Sequence, residues 1–294
     1  MSAAAARKAA RPVQSIVDGE FVLTESDFRQ IAAMLHGDAG IALPESKATL
    51  VYSRLAKRLR ALGLSSFKDY CELVSEEAGL DERQKMLAAL TTNVTRFFRE
   101  PHHFDHLRDV VLPPLMDAAR RGEKVRIWSA ACSTGPEPYS AAMTILQEFP
   151  DAGRYDLKIL ATDIDPNVVA EGRAGLYSND AASPVPPELR QRWMTRTPDG
   201  WRMGDDARSL VTFNELNLIG SWPMKGRFDA VFCRNVVIYF EDDTQSRIWG
   251  RMAALMHPGA TLYIGHSERV IGAAADRFSL QGTTTYRLDR ETAR

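Results

Sequence analysis

Cysteine is scarce in this chain of 294 residues: Cys71, Cys132 and Cys233 are odd in number and widely separated. That excludes a disulfide framework and a CxxC zinc site, and it fits a reducing compartment. An excess of charge of one sign is missing too. Thirty-seven Lys and Arg stand against 38 Asp and Glu, a net charge of −1, so the chain lacks the overall basic character of a nucleic-acid binder. No apolar run reaches the roughly 18 residues that a membrane span needs. The opening Met1-Ser2-Ala3-Ala4-Ala5-Ala6-Arg7-Lys8 has no apolar core of a secretory signal. These absences predict a cytoplasmic globular protein without nucleic-acid partners or membrane insertion. The composition, 45% hydrophobic and 26% charged, is ordinary for such a protein. At roughly 150 residues per domain, the length predicts two units.

The texture changes along the chain. Residues 1–20 are rich in Ala, Arg and Lys without apolar periodicity, which predicts a disordered tail. From residue 21 to 90 the pattern is helical. Ser26 is an expected N-cap, followed by Phe28, Ile31 and Leu35 on one face. A second helix is expected from Ser46 to Leu62, with Val51, Leu55, Leu59 and Leu62 on one stripe and Gly63 ending it. Segments 67–77 and 82–90 complete a small helical domain.

After Thr91 strands and helices alternate. Strands are expected at 125–131, 157–162, 228–233 and 261–265, helices at 139–149, 166–172 and 243–256, and a hairpin at 277–288. That rhythm predicts an α/β domain over 91–294 with a parallel sheet. Residues 177–210 break it: Pro184, Pro186 and Pro187 precede two arms around Pro198-Asp199-Gly200, a hairpin signal that predicts an inserted β subdomain.

In an open parallel sheet, ligands sit beyond the carboxyl ends of the strands. Three polar clusters fall there: Ser133–Glu137, Asp163–Asp165 and Arg234–Asn235. Gly135 lets the backbone approach a ligand, and Asp163, ending the next strand, can accept both hydroxyls of a ribose. A pyrophosphate-bearing nicotinamide cofactor suits this loop poorly. It has one glycine, Pro136 and Pro138 lack amide donors, and Glu137 adds negative charge. An adenosine ligand carrying a cation suits it better, and S-adenosyl-L-methionine has both an ammonium and a sulfonium. His102 and His106, at i and i+4, lack a third ligand, so no metal site is expected. Cys132 and Cys233 are expected as packing thiols on neighbouring strands. Glu241, Asp242 and Asp243 are expected to cap the helix that follows them.

Four motifs in order sharpen this reading: Thr91-Thr92-Asn93-Val94-Thr95-Arg96-Phe97-Phe98-Arg99-Glu100, Ala131-Cys132-Ser133-Thr134-Gly135-Pro136-Glu137-Pro138-Tyr139-Ser140, Ala161-Thr162-Asp163-Ile164-Asp165, and the run Phe228–Phe240 containing Cys233-Arg234-Asn235 and Tyr239. Together they closely resemble the chemotaxis receptor protein-glutamate O-methyltransferase (CheR) family, over almost the whole chain from about residue 20. The resemblance implies a Rossmann-like class I methyltransferase sheet with a small N-terminal helical domain and an inserted β subdomain. It further implies a cytoplasmic monomer that methylates glutamate side chains on methyl-accepting chemoreceptor helices. Carried over by position, Asn93, Thr95, Arg99, Glu137, Asp163, Asn217, Leu218, Arg234 and Asn235 would bind S-adenosyl-L-methionine, and Arg99 and Tyr239 would face the transfer centre. The family's first loop has two acidic residues before the proline matching Pro138; here Pro136 takes the first of those places. The expected helix at 46–62 carries Lys47, Arg54, Lys57, Arg58 and Arg60 with no acidic residue between Lys47 and Arg60. That basic surface is either a solvated face or, as the resemblance implies, a dock for an acidic receptor helix using Arg54, Lys57 and Arg58. A cofactor-binding adaptor without transfer activity is the non-enzymatic alternative.

Overall fold

Thr24 and Asp27 start the first helix by satisfying each other's backbone. The Thr24 hydroxyl accepts from the Asp27 N–H at 3.2 Å, and the Asp27 carboxylate accepts from the Thr24 N–H at 3.1 Å. This reciprocal cap begins helix α1 (Glu25–Ala39) two residues before the expected cap at Ser26. The protein, described over residues 15–289 by a computed structural model, divides into two compact units: residues 15–38 with 42–90, and residues 39–41 with 91–289. The first fourteen residues of the expected tail lie outside the described residues. The rest of it is ordered, with strand Ser15–Val17 pairing antiparallel to Leu23–Thr24.

In the helical unit, α2 (Ala48–Leu62) follows a 3₁₀ turn at Glu45–Lys47 and buries Val51, Leu55 and Leu59. Leu62 is 40% exposed rather than part of that stripe. The chain turns away immediately after it, closed by Gly63 N–H to Arg60 C=O at 3.1 Å and Leu64 N–H to Leu59 C=O at 3.0 Å. Helix α3 (Phe67–Ser75) is capped by Ser66, whose side chain accepts from the Asp69 N–H, and α4 (Leu80–Leu90) completes the unit.

The second unit is built on a seven-stranded sheet. Its strands in chain order are β1 (Val125–Ala130), β2 (Leu157–Asp163), β3 (Val211–Glu215), β4 (Phe228–Cys233), β5 (Met256–Ile264), β6 (Phe278–Gly282) and β7 (Thr285–Leu288). Across the sheet they run β3-β2-β1-β4-β5-β7-β6. The first five are mutually parallel, and β7 is antiparallel to both of its neighbours. β1 and β4 each bury every residue except the half-buried Arg126 and Asp229, because both faces of the central sheet are covered. Trp128, fully buried on β1, stacks on Phe228 and meets Trp222 edge-on. Its indole N–H donates to the Thr162 hydroxyl at 2.9 Å.

Helix α5 (Pro136–Glu148) follows β1, α6 (Pro166–Ala174) follows β2, and α7 (Asp242–Ala254) leads into β5. Pro136 occupies the first turn of α5, where a missing N–H costs nothing, so the substitution in the family's loop fits the helix start. Asp242 and Asp243 lie in the first turn of α7, but no side chain caps it by a hydrogen bond. The β insertion is a three-stranded antiparallel sheet with Gly200–Met203 between Leu176–Ser178 and Met194–Thr197.

Candidate cofactor and active site

Strand order reverses between β1 and β4, so the loops leaving their carboxyl ends diverge and open a crevice. Positive φ angles in non-glycine residues gather there: Phe98 (51°), Glu100 (57°), Ala131 (56°), Ser133 (52°) and Asn235 (59°). Such conformations persist only where surrounding contacts over-determine them. The contacts are visible. The Ser133 hydroxyl donates to the Asn93 carbonyl at 2.8 Å, and the Asn93 amide donates to the Asp165 carboxylate at 2.9 Å. Segment 93–100 is thereby tied to the loops after β1 and β2.

Asp163 ends β2 and is 5% exposed. One carboxylate oxygen accepts from the Ser133 N–H at 2.8 Å and the other from the Asp165 N–H at 3.0 Å. Burial pushes its pKa up, and these backbone donors oppose the rise. Each oxygen keeps a lone pair for a ligand. Gly135 is also required by its own packing: its φ is 96°, and a Cβ there would meet the Phe213 ring and the Tyr177 hydroxyl at 3.0 Å.

Arg234, leaving β4 with a side chain 2% exposed, is the electrostatic centre of the crevice. It donates to the Glu137 carboxylate at 3.1 Å and to the Arg99 carbonyl, and it lies 3.4 Å from Glu100. Glu137 also accepts from the Ser129 hydroxyl at 2.7 Å. Burial pushes the Glu137 carboxyl up, partly offset by Arg234. Burial works the same way on Glu100, but Arg234 and His266 prevail and hold that carboxyl below its ordinary value. Glu137 and Arg234 are expected from the motifs; Glu100, directly after Arg99, and Asp165, as the partner of Asn93, enter only through this geometry.

The remaining expected site residues are placed less tightly. Arg99 is half-buried, and its guanidinium donates to the Val94 carbonyl at 3.3 Å. Thr95 is half-buried in the same segment. Tyr239 ends a 3₁₀ turn, Val237–Tyr239, and its hydroxyl makes no hydrogen bond among the described residues. Asn217 and Leu218 lie in the loop after β3, where the Asn217 side chain accepts from the Ile219 N–H at 3.1 Å. Arg251 of α7 pins that loop by donating to the Leu218 carbonyl at 3.0 Å.

His102 and His106 do not act together: His106 meets the Tyr263 hydroxyl at 3.0 Å. His102 instead clusters with Glu100 and His103, their nearest donor atoms within 4.8 Å of one another. Arg234 beside Glu100 already supplies the positive charge that a metal ion would bring. Cys132 and Cys233 are buried free thiols pushed up by burial. In the helical unit, Arg54 donates to the Ala89 and Leu90 carbonyls that end α4. Arg58 forms a two-pronged pair with buried Glu82 at 2.8 and 2.6 Å, and the Tyr70 hydroxyl joins at 3.1 Å. Lys57 is exposed.

Two buried polar atoms, Glu100 Oε2 and Arg234 Nε, make no hydrogen bond, although Oε2 stays 3.4 Å from the Arg234 guanidinium as its ion-pair partner. A crevice lined by such charges suits a ligand that is itself charged, and Asp163 suits one carrying ribose hydroxyls. With the β3-β2-β1-β4-β5-β7-β6 order and a loop lacking a pyrophosphate cradle, these features define a Rossmann-like class I methyltransferase that uses S-adenosyl-L-methionine.

Comparison with known proteins specifies it further. Residues 26–91 match the CheR methyltransferase all-alpha domain and residues 93–287 match the CheR methyltransferase SAM binding domain. The chain belongs to the CheR methyltransferase family. It is 55% identical over 258 residues to the probable chemotaxis protein methyltransferase of Rhizobium etli, covering 86% of this chain and 96% of that protein. It is 43% identical over 262 residues to chemotaxis protein methyltransferase 2 of Pseudomonas aeruginosa, covering 87% and 90% of the two chains. Identity to the chemotaxis protein methyltransferase of Escherichia coli is 40% over 275 residues, covering 92% and 93%. Among the described residues no helix is long and apolar enough to cross a membrane.

Proposed function

We propose that this methyltransferase acts in the cytoplasm on methyl-accepting chemoreceptors, converting glutamate side chains on their helices to methyl esters during chemotactic adaptation. The observation that carries the choice of acceptor is the distribution of unspent donors at the crevice. Glu137 and Glu100 are committed to Arg234, whereas the Arg99 guanidinium makes one long bond within its own loop and the Tyr239 hydroxyl makes none among the described residues. Half-buried donors with spare bonding capacity suit an incoming carboxylate.

Asn93, Thr95, Arg99, Glu137, Asp163, Asn217, Leu218, Arg234 and Asn235 are the residues that would hold S-adenosyl-L-methionine, with Asp163 toward the ribose and Glu137 toward the methionine end. When bound, the cofactor supplies an electrophilic sulfonium methyl. A glutamate side chain, with an ordinary pKa of about 4.3, is already an anion at neutral pH and needs no general base. The work left to the protein is alignment and shielding from water. Arg99 would grip the carboxylate and Tyr239 would orient it. On the helical unit, exposed Lys57, with the accessible edges of Arg54 and Arg58, would steer an acidic receptor helix.

The test uses cofactor labelled in its methyl group and cytoplasmic fragments of receptors from the same cell. Label should enter the receptor and be released as methanol by mild alkali, the behaviour of a carboxyl ester. Label that resists alkali, or no transfer from an enzyme that binds the cofactor, overturns the assigned acceptor.

A further inference from the structure

Glu268 lies after β5, outside the motifs that carry the family resemblance, and its side chain is among the most enclosed charges of the second unit, 5% exposed. Its carboxylate accepts four backbone N–H groups from two different loops: Gly265 at 2.6 Å, Asn235 at 2.8 Å, Val236 at 2.8 Å and Val237 at 2.9 Å. The last three are consecutive. They converge on one anion because Asn235 takes a left-handed φ of 59°, which makes the chain a concave nest of amides.

The same loop supplies Arg234 and Asn235 at one end and the 3₁₀ turn bearing Tyr239 at the other. We infer that Glu268 is a positioning residue for the transfer reaction: by clamping the amides of residues 235–237 it sets the place of Asn235 toward the cofactor and of Tyr239 toward the acceptor. It touches neither ligand itself. Gly265 belongs to the device. A Cβ at that position would stand 2.8 Å from both the Asn235 nitrogen and the Glu268 carboxylate, so only glycine lets the two loops close on each other. The inference rests on the proposed roles of Asn235 and Tyr239.

Glu268→Gln keeps the side chain's volume but turns an amide N–H₂ toward backbone donors, leaving part of the nest unsatisfied. In the folded variant, cofactor affinity should weaken, and kcat per bound cofactor should fall by about 10- to 100-fold, the range for losing a contact that supports reactive geometry. KM for the receptor fragment should stay near wild type. Glu268→Asp, which keeps the anion, should recover part of the lost kcat. A purely structural role would lower the folded fraction without changing kcat per bound cofactor or giving that graded rescue. Gly265→Ala perturbs the same clamp without altering charge and should act in the same direction, which covers the case of a Gln variant that fails to fold. Wild-type cofactor affinity and kcat in any folded variant of the pair overturn the inference. Cofactor affinity, read by calorimetry with S-adenosylhomocysteine, remains informative even if the receptor proves the wrong substrate, so the two readings fail separately.

Discussion

Asp163 shows how much one buried carboxylate is asked to do. It organises the loops after β1 and β2 through the Ser133 and Asp165 amides, and under the proposed function it also receives the ribose. Asp163→Ala should therefore weaken cofactor binding by roughly 1–3 kcal/mol, the usual cost of losing a hydrogen bond to a charged group. Calorimetry on the folded variant measures it, and unchanged affinity would remove Asp163 from the site. His103 makes a second residue-scale expectation. It is fully buried, and burial first, then the neighbouring Arg234 and His102, push its pKa down to about 2 from an ordinary 6.5. Across that interval the unfolded chain takes up a proton that the folded chain refuses, so stability is complete above the ordinary value and drains away as pH falls. Replacing His103 by Gln should flatten the acid limb of stability between about pH 6 and pH 4 by up to about 1.4 kcal/mol per pH unit. His106, also pushed down by burial, is untouched in that comparison, so the difference between variant and wild type isolates His103. Parallel acid limbs in urea unfolding would contradict the assignment.

Helix α2 separates charges that look alike in sequence. Arg58 is spoken for by Glu82, which also accepts from Tyr70, and Arg54 by the end of α4, whereas Lys57 projects outward. Arg58→Ala should cost roughly 1–3 kcal/mol because it strands the buried Glu82 carboxylate, and it should lower the thermal midpoint of the helical unit. Lys57→Glu should leave stability and cofactor affinity alone, raise KM for the receptor and reduce the salt sensitivity of methylation, since exposed charges are screened within about 8 Å at physiological ionic strength. If Lys57→Glu changes neither KM nor salt dependence, the face is merely solvated. The basic character of α2 was readable from its residues, but not which cations were already paired, because Glu82 lies 24 residues away. Elements were readable where one period dominates: β4 runs over the expected residues 228–233, and the hairpin at 194–203 forms around Pro198-Asp199-Gly200. Strand β3 and the helical run from His102 to Arg120 were not anticipated. β3 is a sheet-edge strand that buries only Val211 and Phe213 of its five residues, too short a pattern to stand out after the insertion. The other run is interrupted by a π turn at Leu107–Val111 just before Pro113 and Pro114, which breaks its apolar period. Among the proposed site residues, the motifs exposed Asp163, Glu137 and Arg234. Glu100 and Glu268 were hidden because their significance lies in partners brought together only by strand order.

At the scale of the molecule, the sheet delivers a cofactor site to one end of β1 and β4, and the proposed substrate brings its own nucleophile as an anion. No group on the protein has to lose a proton before transfer. With receptor fragment and cofactor saturating, kcat should therefore be nearly flat from about pH 6 to pH 9, far above the ordinary carboxylate pKa. A profile rising through a single ionisation near neutrality would point to a general base and to a different acceptor. The most direct measurement is the chemical identity of the modified residue. Receptor cytoplasmic fragment incubated with enzyme and cofactor, then digested and mapped by tandem mass spectrometry, should carry the added methyl on glutamate side chains of its helices, and replacing those glutamates by alanine should abolish incorporation. Methyl groups found instead on lysine, arginine or a chain terminus would contradict the account.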